Sequence, residues 1–216
     1  MISTGRVADL FAEVADTLVD EFDLLEFLHT VARDAAEVTG SAAVGLLLVD
    51  HHGILRPMAA STEEVRLLEL FQVQHAEGPC LECLSTGREI ADIDLVSSTG
   101  RWPDFTPRAL ELGFLTAHCF PLRLRDQVIG ALNVFRDVSS FLDPEERRVS
   151  RALADVATIA LMQERAVRRA EELTEQLQFA LNSRVVVEQA KGAVARTLDC
   201  GVDAAFAVLR DHARRH

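Results

Sequence analysis

Between Pro144 and Gly192 the chain contains neither proline nor glycine, and this uninterrupted span limits its folding options more than any other feature. Asp143-Pro144-Glu145-Glu146 reads as a helix start. Asp143 can cap, Pro144 suits the first helical position, and both glutamates favour the positive end of the helix dipole, with Glu146 completing a capping box. One helix of about 50 residues is predicted. Along it Ala152, Val156, Ile159, Gln163, Ala166, Ala170, Leu173, Leu177, Ala180, Arg184, Val187, Lys191 and Val194 alternate in steps of four and three, and all but three are apolar. That is a coiled-coil seam. A long surface helix lying on its own domain is the plain alternative. A solitary helix must bury its stripe somewhere, however, and a twin is the simplest partner, so a parallel homodimer through the coiled coil is expected.

The composition, 49% hydrophobic and 26% charged, is that of a globular chain. No apolar run approaches the roughly 18–20 residues that span a bilayer, so no membrane role is expected. The first residues lack a secretory pattern, which makes the cytoplasm the expected location. A net charge of −12 argues against simple attraction to nucleic acid, but the charge is uneven. Residues 177–216 carry six cations against four carboxylates, a net +2, which leaves −14 on the remainder. An acidic body with a mildly basic tail suggests two parts with different partners.

The tail holds the most specific motifs. Ser183-Arg184, Glu188-Gln189-Ala190-Lys191-Gly192 and Ala204-Ala205-Phe206 with Leu209-Arg210 occur together and in order. The segment from Leu177 onward resembles the ANTAR family, small helical modules that bind paired stem-loops in leader transcripts and favour transcriptional read-through. The resemblance implies RNA binding. Lys191 is the sole lysine and lies two turns after Arg184, so the two cations share a face. Ala190 and Gly192 leave little bulk beside Lys191, and a glycine inside a helix costs roughly 1 kcal/mol relative to alanine. Close approach of a sugar-phosphate backbone or of a packed helix would compensate. Lys191, Arg184 and Arg196 are therefore the phosphate candidates, and Ser183 and Gln189 the added hydrogen-bonding groups. An ordinary ion ladder of Arg184, Glu188 and Lys191 is the competing reading. Past Gly201, Asp203 is expected to open another helix with Phe206, Leu209 and Ala213 on its core face, Phe206 being structural. The family pattern continues beyond the position of His216 into a third helix, so the module is expected to be incomplete.

Upstream, helical spacing over Arg6–Leu18 and Asp23–Val38 predicts two helices. The apolar run Ala42–Val49 reads as a buried strand and Ile54–Ala60 as the next, with a helix around Val65–Phe71. Cys119–Leu124 and Val128–Phe135 form the clearest hairpin. This order predicts an α+β domain, an antiparallel sheet covered on one side by helices. Gly78-Pro79-Cys80-Leu81, Ser85 through Asp92, and Val128-Ile129-Gly130-Ala131-Leu132-Asn133 make the region similar to GAF domains. The fold class is thus an α+β GAF domain with flanking helices, then a long coiled-coil helix and a small all-α ANTAR module. Its expected boundaries are 1–142, 143–176 and 177–216. The resemblance implies an unknown small-molecule or protein signal. Trp102 and Phe105, in a predicted loop beside the ligand face, are the candidate ligand-binding residues, with core packing as the alternative.

Cys80-Leu81-Glu82-Cys83 is a C-x-x-C pair. A zinc site would need two more ligands, with Cys119 or His75 recruited by folding. A redox pair or peroxide-sensing thiol is a second reading, and because some GAF proteins reduce free methionine sulfoxide it is also the enzymatic alternative. Small buried hydrophobes are the favoured account of Cys80, Cys83 and Cys119. His51-His52 falls in a predicted turn, and His75 and His118 are isolated. No metal, cofactor or catalytic residue is expected, since no phosphate loop or hydrolase motif occurs. The expected function is an RNA-binding transcription antitermination regulator, dimeric and controlled through the GAF domain. The rivals are a GAF thiol sensor or reductase depending on Cys80 or Cys83, and a coiled-coil protein-interaction module without an RNA role.

Overall fold

A computed structural model describes residues 23–50, 52–124 and 127–215. The helix expected over Arg6–Leu18 lies outside them, as do His51 and the hairpin residues Arg125 and Asp126. The chain divides into two compact units after Gln163.

In the first unit, helix α1 (Leu24–Thr39) begins where Asp23 Oδ1 accepts the amides of Leu25 and Glu26, at 2.8 and 3.3 Å. It ends at Gly40, whose φ of 58° is left-handed. Strands β1 (Ala43–Val49) and β2 (Leu55–Ala60) follow, then α2 (Glu63–His75), α3 (Pro79–Thr86), β3 (Ile90–Asp94), α4 (Phe105–Glu111), β4 (Thr116–Leu124) and β5 (Gln127–Arg136). The five strands form one antiparallel sheet in the order β2-β1-β5-β4-β3.

Alternation along the strands divides the core in two. Val44, Leu46 and Leu48 of β1, Phe120 and Leu122 of β4, and Leu132 and Val134 of β5 point to one face. Ala43 and Leu47, Ala117 and Cys119, and Ala131 and Phe135 point to the other. Burial on both faces explains why β1 reads as a continuous apolar run. Fully buried rings such as Phe27, Phe120 and Phe135 each contribute roughly 1.5–3 kcal/mol.

Helices cover both faces, not the single face expected. Helices α2, α3 and α4 lie over one; α1 covers the other together with the start of a long helix, α5 (Pro144–Leu198). Asp143 Oδ1 accepts the amides of Glu145 and Glu146 at 2.8 and 2.9 Å, and Glu146 Oε2 accepts the Asp143 amide at 2.8 Å. The capping box read from the sequence is thus formed. Val149, Leu153, Ala154, Ala157, Ala160 and Leu161 then enter the sheet core. The helix runs for 55 residues. Among the described residues, no helix is long and apolar enough to cross a membrane.

The second unit holds the remainder of α5 and helix α6 (Val202–Ala213). From residue 166 to 189 every position of α5 is exposed. Leu173 and Leu177 on the seam are 56% and 58% exposed. After Asp199, whose φ of 48° is left-handed, the chain turns and α6 begins at Val202.

Candidate functional site

The RNA-binding candidates all lie on α5, but they do not form one patch. At about 100° per residue, Arg184 and Lys191 share a face, while Gln189, Gly192 and Arg196 turn to a neighbouring one and Ser183 and Ala190 to a third. Ser183, Arg184, Gln189, Gly192 and Arg196 are exposed, and Ala190 is half-buried. Among the described residues Arg184 makes no ion pair, so the expected ladder reduces to a pair between Lys191 and Glu188.

Lys191 differs from the other cations. Its side chain is only 16% exposed. The ammonium donates to Glu188 Oε1 and Oε2 at 2.9 and 3.1 Å and stands 5.3 Å from the centroid of the Phe206 ring. Phe206 departs from its expected core role: it is 41% exposed, while the preceding Ala205 is completely buried. The spacing of 205 and 209 satisfies one helix face as well as 206 and 209 does, and the smaller side chain allows the closer approach.

On the first unit, the face beneath α2, α3 and α4 holds a buried polar chain that the sequence reading missed. Glu69 of α2 is fully buried, and among the described residues no cation stands at its carboxyl group. Its Oε1 accepts from Asn133 Nδ2 and its Oε2 from Gln72 Nε2, both at 2.7 Å. Gln72 Oε1 in turn accepts the Cys80 amide at 3.1 Å, tying the chain to the start of α3. Two glycines make room for it. A Cβ on Gly45 would stand 2.5 Å from the Glu69 carboxyl, and one on Gly78, at φ +129°, 2.2 Å from the Gln72 side chain. Burial raises the Glu69 carboxyl to about 8 despite the two stabilising hydrogen bonds. The available signal was a glutamate within Leu67-Leu68-Glu69-Leu70-Phe71 and an asparagine inside an otherwise apolar strand.

Cys80, Cys83 and Cys119 meet beside this chain, all completely buried. Burial raises the Cys80 and Cys119 thiols above the ordinary range, which makes them poor nucleophiles. We expect a thiol reagent to modify one cysteine of the native protein rapidly, the half-buried Cys200, and all four after urea unfolding. Rapid native modification of the other three would restore the redox reading. Among the described residues no group of histidine, cysteine, aspartate or glutamate side chains is arranged to hold a metal ion.

Trp102 and Phe105 are core residues, 4% and 0% exposed, with rings edge to face at 6.2 Å. Phe105 opens α4 rather than lying in a loop; the amides of Asp104 and Phe105 donate to Glu77 Oε1 at 2.7 and 2.9 Å. The opposite face of the sheet carries an ionic hub. Glu89 accepts from His118 Nε2, and at 2.6 Å from both Arg147 and Arg151 at the start of α5. Burial opposes its charge, but these three donors prevail and its carboxyl lies below the usual value. An open hollow of about 590 Å³ lies beside the hub, lined by Glu89, Asp92, Arg147, Arg148, Arg151 and Asp155 among others.

Comparison with known proteins places both units. The GAF domain family matches residues 23–162 and the ANTAR domain family residues 175–216. A comparison with curated proteins finds no match. Among solved structures, the GAF domain of a phosphoenolpyruvate-protein phosphotransferase from Coxiella burnetii is similar, with a TM-score of 0.59 at 18% identity, covering 77% of this chain and 99% of that one. The corresponding Acinetobacter domain gives 0.58 at 14% identity, covering 76% and 97%. A free methionine-R-sulfoxide reductase from Neisseria meningitidis, in complex with its substrate, gives 0.56 at 17% identity, covering 77% and 96%. At these identities the likeness is one of fold.

Proposed function

Because this chain belongs to the GAF domain family and carries a C-terminal ANTAR domain, we propose that it is a transcription antitermination regulator that acts as a dimer on paired RNA stem-loops. The two domains together support a signal-regulated RNA-binding protein. The observation that carries the finer reading is the ANTAR match over a helix whose Arg184 and Arg196 stand free in solvent.

The dimer brings two such modules together through the exposed seam of α5. The seam is shorter than the sequence suggested. Val156 already packs on the sheet core, and Lys191 and Val194 are half-buried in the second unit. Positions from Ile159 to Val187 remain for a second copy, and a twin helix is the partner that matches a four-three stripe. In this reading the GAF domain occupies 1–142, the linker 143–176 and the RNA module 177–216, and the protein works in the cytoplasm.

The signal enters the GAF domain and changes the pairing of α5, which alters whether two modules engage two stem-loops at once. Tethering makes the second contact intramolecular, so a small change of geometry switches avidity. A ligand entering beside Trp102 and Phe105 must displace packed rings to do this.

A salt titration of binding to a two-stem-loop RNA tests the proposal. Affinity is expected to fall linearly with salt on logarithmic axes, and Arg184→Ala to reduce that slope by about one phosphate contact. No binding at low salt, with RNA competent for another ANTAR protein, would shift the reading to a protein-interaction module.

A further inference from the structure

We propose that Phe206 is a stacking platform for one unpaired base of the bound RNA, with Lys191 holding the phosphate beside that base; the inference rests on the RNA-binding reading and deepens it. The chain has no tyrosine, and its single tryptophan is buried in the first unit. Across residues 175–216 the phenyl rings are therefore those of Phe179 and Phe206. Both are exposed, at 77% and 41%. Among the described residues Phe206 is the one of the two with a cation against it, the Lys191 ammonium at 5.3 Å.

The ring does not serve as core. Phe206 belongs to neither apolar cluster, and Ala205 takes the buried position of α6. Leaving part of a phenyl ring in water forfeits apolar burial, and a flat base is a partner that recovers it. Proteins that bind unpaired nucleotides combine such aromatic faces with cations along the backbone. Here Arg210 follows Phe206 by one helical turn on α6, and Arg184 precedes Lys191 by two turns on α5. On the neighbouring face of α5 the surface at Gly192 is open, since a Cβ there would meet nothing within 4 Å among the described residues. Of the neighbouring carboxylates, Asp203 precedes Phe206 by three residues on α6 and Glu188 lies against Lys191. Glu188 already occupies the ammonium through both oxygens. An incoming phosphate takes the place of that carboxylate, so the lysine is held in position before RNA arrives. The Glu188 carboxylate and the Phe206 ring both flank it there.

The test uses the full chain and a synthetic two-stem-loop RNA. Phe206→Leu, which keeps apolar bulk but removes the flat π-face, is expected to weaken binding by about 5- to 150-fold, the range seen for loss of one base stack. Phe206→Trp is expected to retain affinity, and its new indole emission to be quenched when RNA binds. The salt slope separates the two roles: it stays unchanged in Phe206→Leu and falls by about one in Lys191→Ala. Removing one loop base from the RNA should cost native protein as much as Phe206→Leu does, and should add nothing to that variant. Native affinity in Phe206→Leu would overturn the platform, as would weaker binding accompanied by a loss of dimer mass in light scattering, which would assign the ring to the contact between copies. Failure of native protein to bind would instead remove the RNA reading, and the platform with it.

Discussion

Glutamate at both Ile159 and Leu173 is expected to turn the dimer into single chains and to lower affinity for a two-stem-loop RNA by two orders of magnitude or more. The two side chains are 58% and 56% exposed and occupy the same seam, so the substitutions remove little packing within the described chain. In a parallel pair they would place four carboxylates along a surface that otherwise excludes water. Desolvating them costs far more than the helix can recover. The loss of avidity follows because a tethered second contact enhances overall binding by 10²–10⁴. Affinity for one isolated stem-loop should be unchanged, since neither substitution touches Arg184, Lys191 or Phe206. Sedimentation or light scattering at micromolar concentration provides the check, and a native protein with the mass of one chain would sink the dimer outright.

Stability should fall as the solution is made alkaline through neutrality, and Glu69→Gln should abolish that fall. The folded protein retains the Glu69 proton up to about pH 8, whereas an unperturbed glutamate releases it at 4.5. Between these values the folded state binds more protons than the unfolded chain, so unfolding becomes easier as pH rises, and the dependence levels off above 8. The contribution at stake is on the order of 5 kcal/mol. The neutral acid also suits its surroundings. Asn133 Oδ1 has no hydrogen-bond partner among the described residues, and turning that amide over would bring it to the acid's proton. The amide introduced at position 69 could make the same donation at every pH. Gly45 on β1, Cys80 and Cys83 on α3, and Cys119 on β4 complete the surroundings, and among the described residues no cation holds the ionised form. The measurement is the urea midpoint of native protein and variant at pH 5, 6.5 and 8. The gap between them should widen in favour of the variant as pH rises; parallel curves would show that the carboxyl group is not held neutral.

The two predictions draw on features of different legibility. The long helix could be read closely because its start depends on local chemistry: Asp143, Pro144 and Glu146 specify a capping box without help from the rest of the fold. The β4–β5 hairpin was readable for the same reason. The second helical cover was not. Val149, Leu153, Ala157 and Ala160 make a core stripe that runs beside the seam at Ala152, Val156 and Ile159. Following one stripe concealed the other. Glu69 was less accessible still, because what accommodates it is the absence of a side chain at Gly45, distant in sequence and opposite only once β1 is in place. At the candidate RNA surface, residue type suggested which cations belong. Their separation onto different faces follows from helical geometry, but the shelter given to Lys191 depends on a turn that brings α6 back against α5. Phe206 was placed in the core because it shares a helix face with Leu209 and Ala213, whereas Ala205 takes the buried position.

The shelter around Lys191 has a practical consequence. With one lysine in the entire sequence, the protein has a single side-chain amine, and that amine stands where the carboxylate of Glu188 and the ring of Phe206 meet. Acylating reagents, isotope-labelled lysine in nuclear magnetic resonance, and a protease that cuts after lysine would all report on this position without any engineered tag. The protease has one target, the Lys191–Gly192 bond, which lies within a helix and must unwind before it can be cut. Its cutting rate would therefore follow the local opening of the C-terminal module, residue by residue the least ambiguous clock the molecule offers.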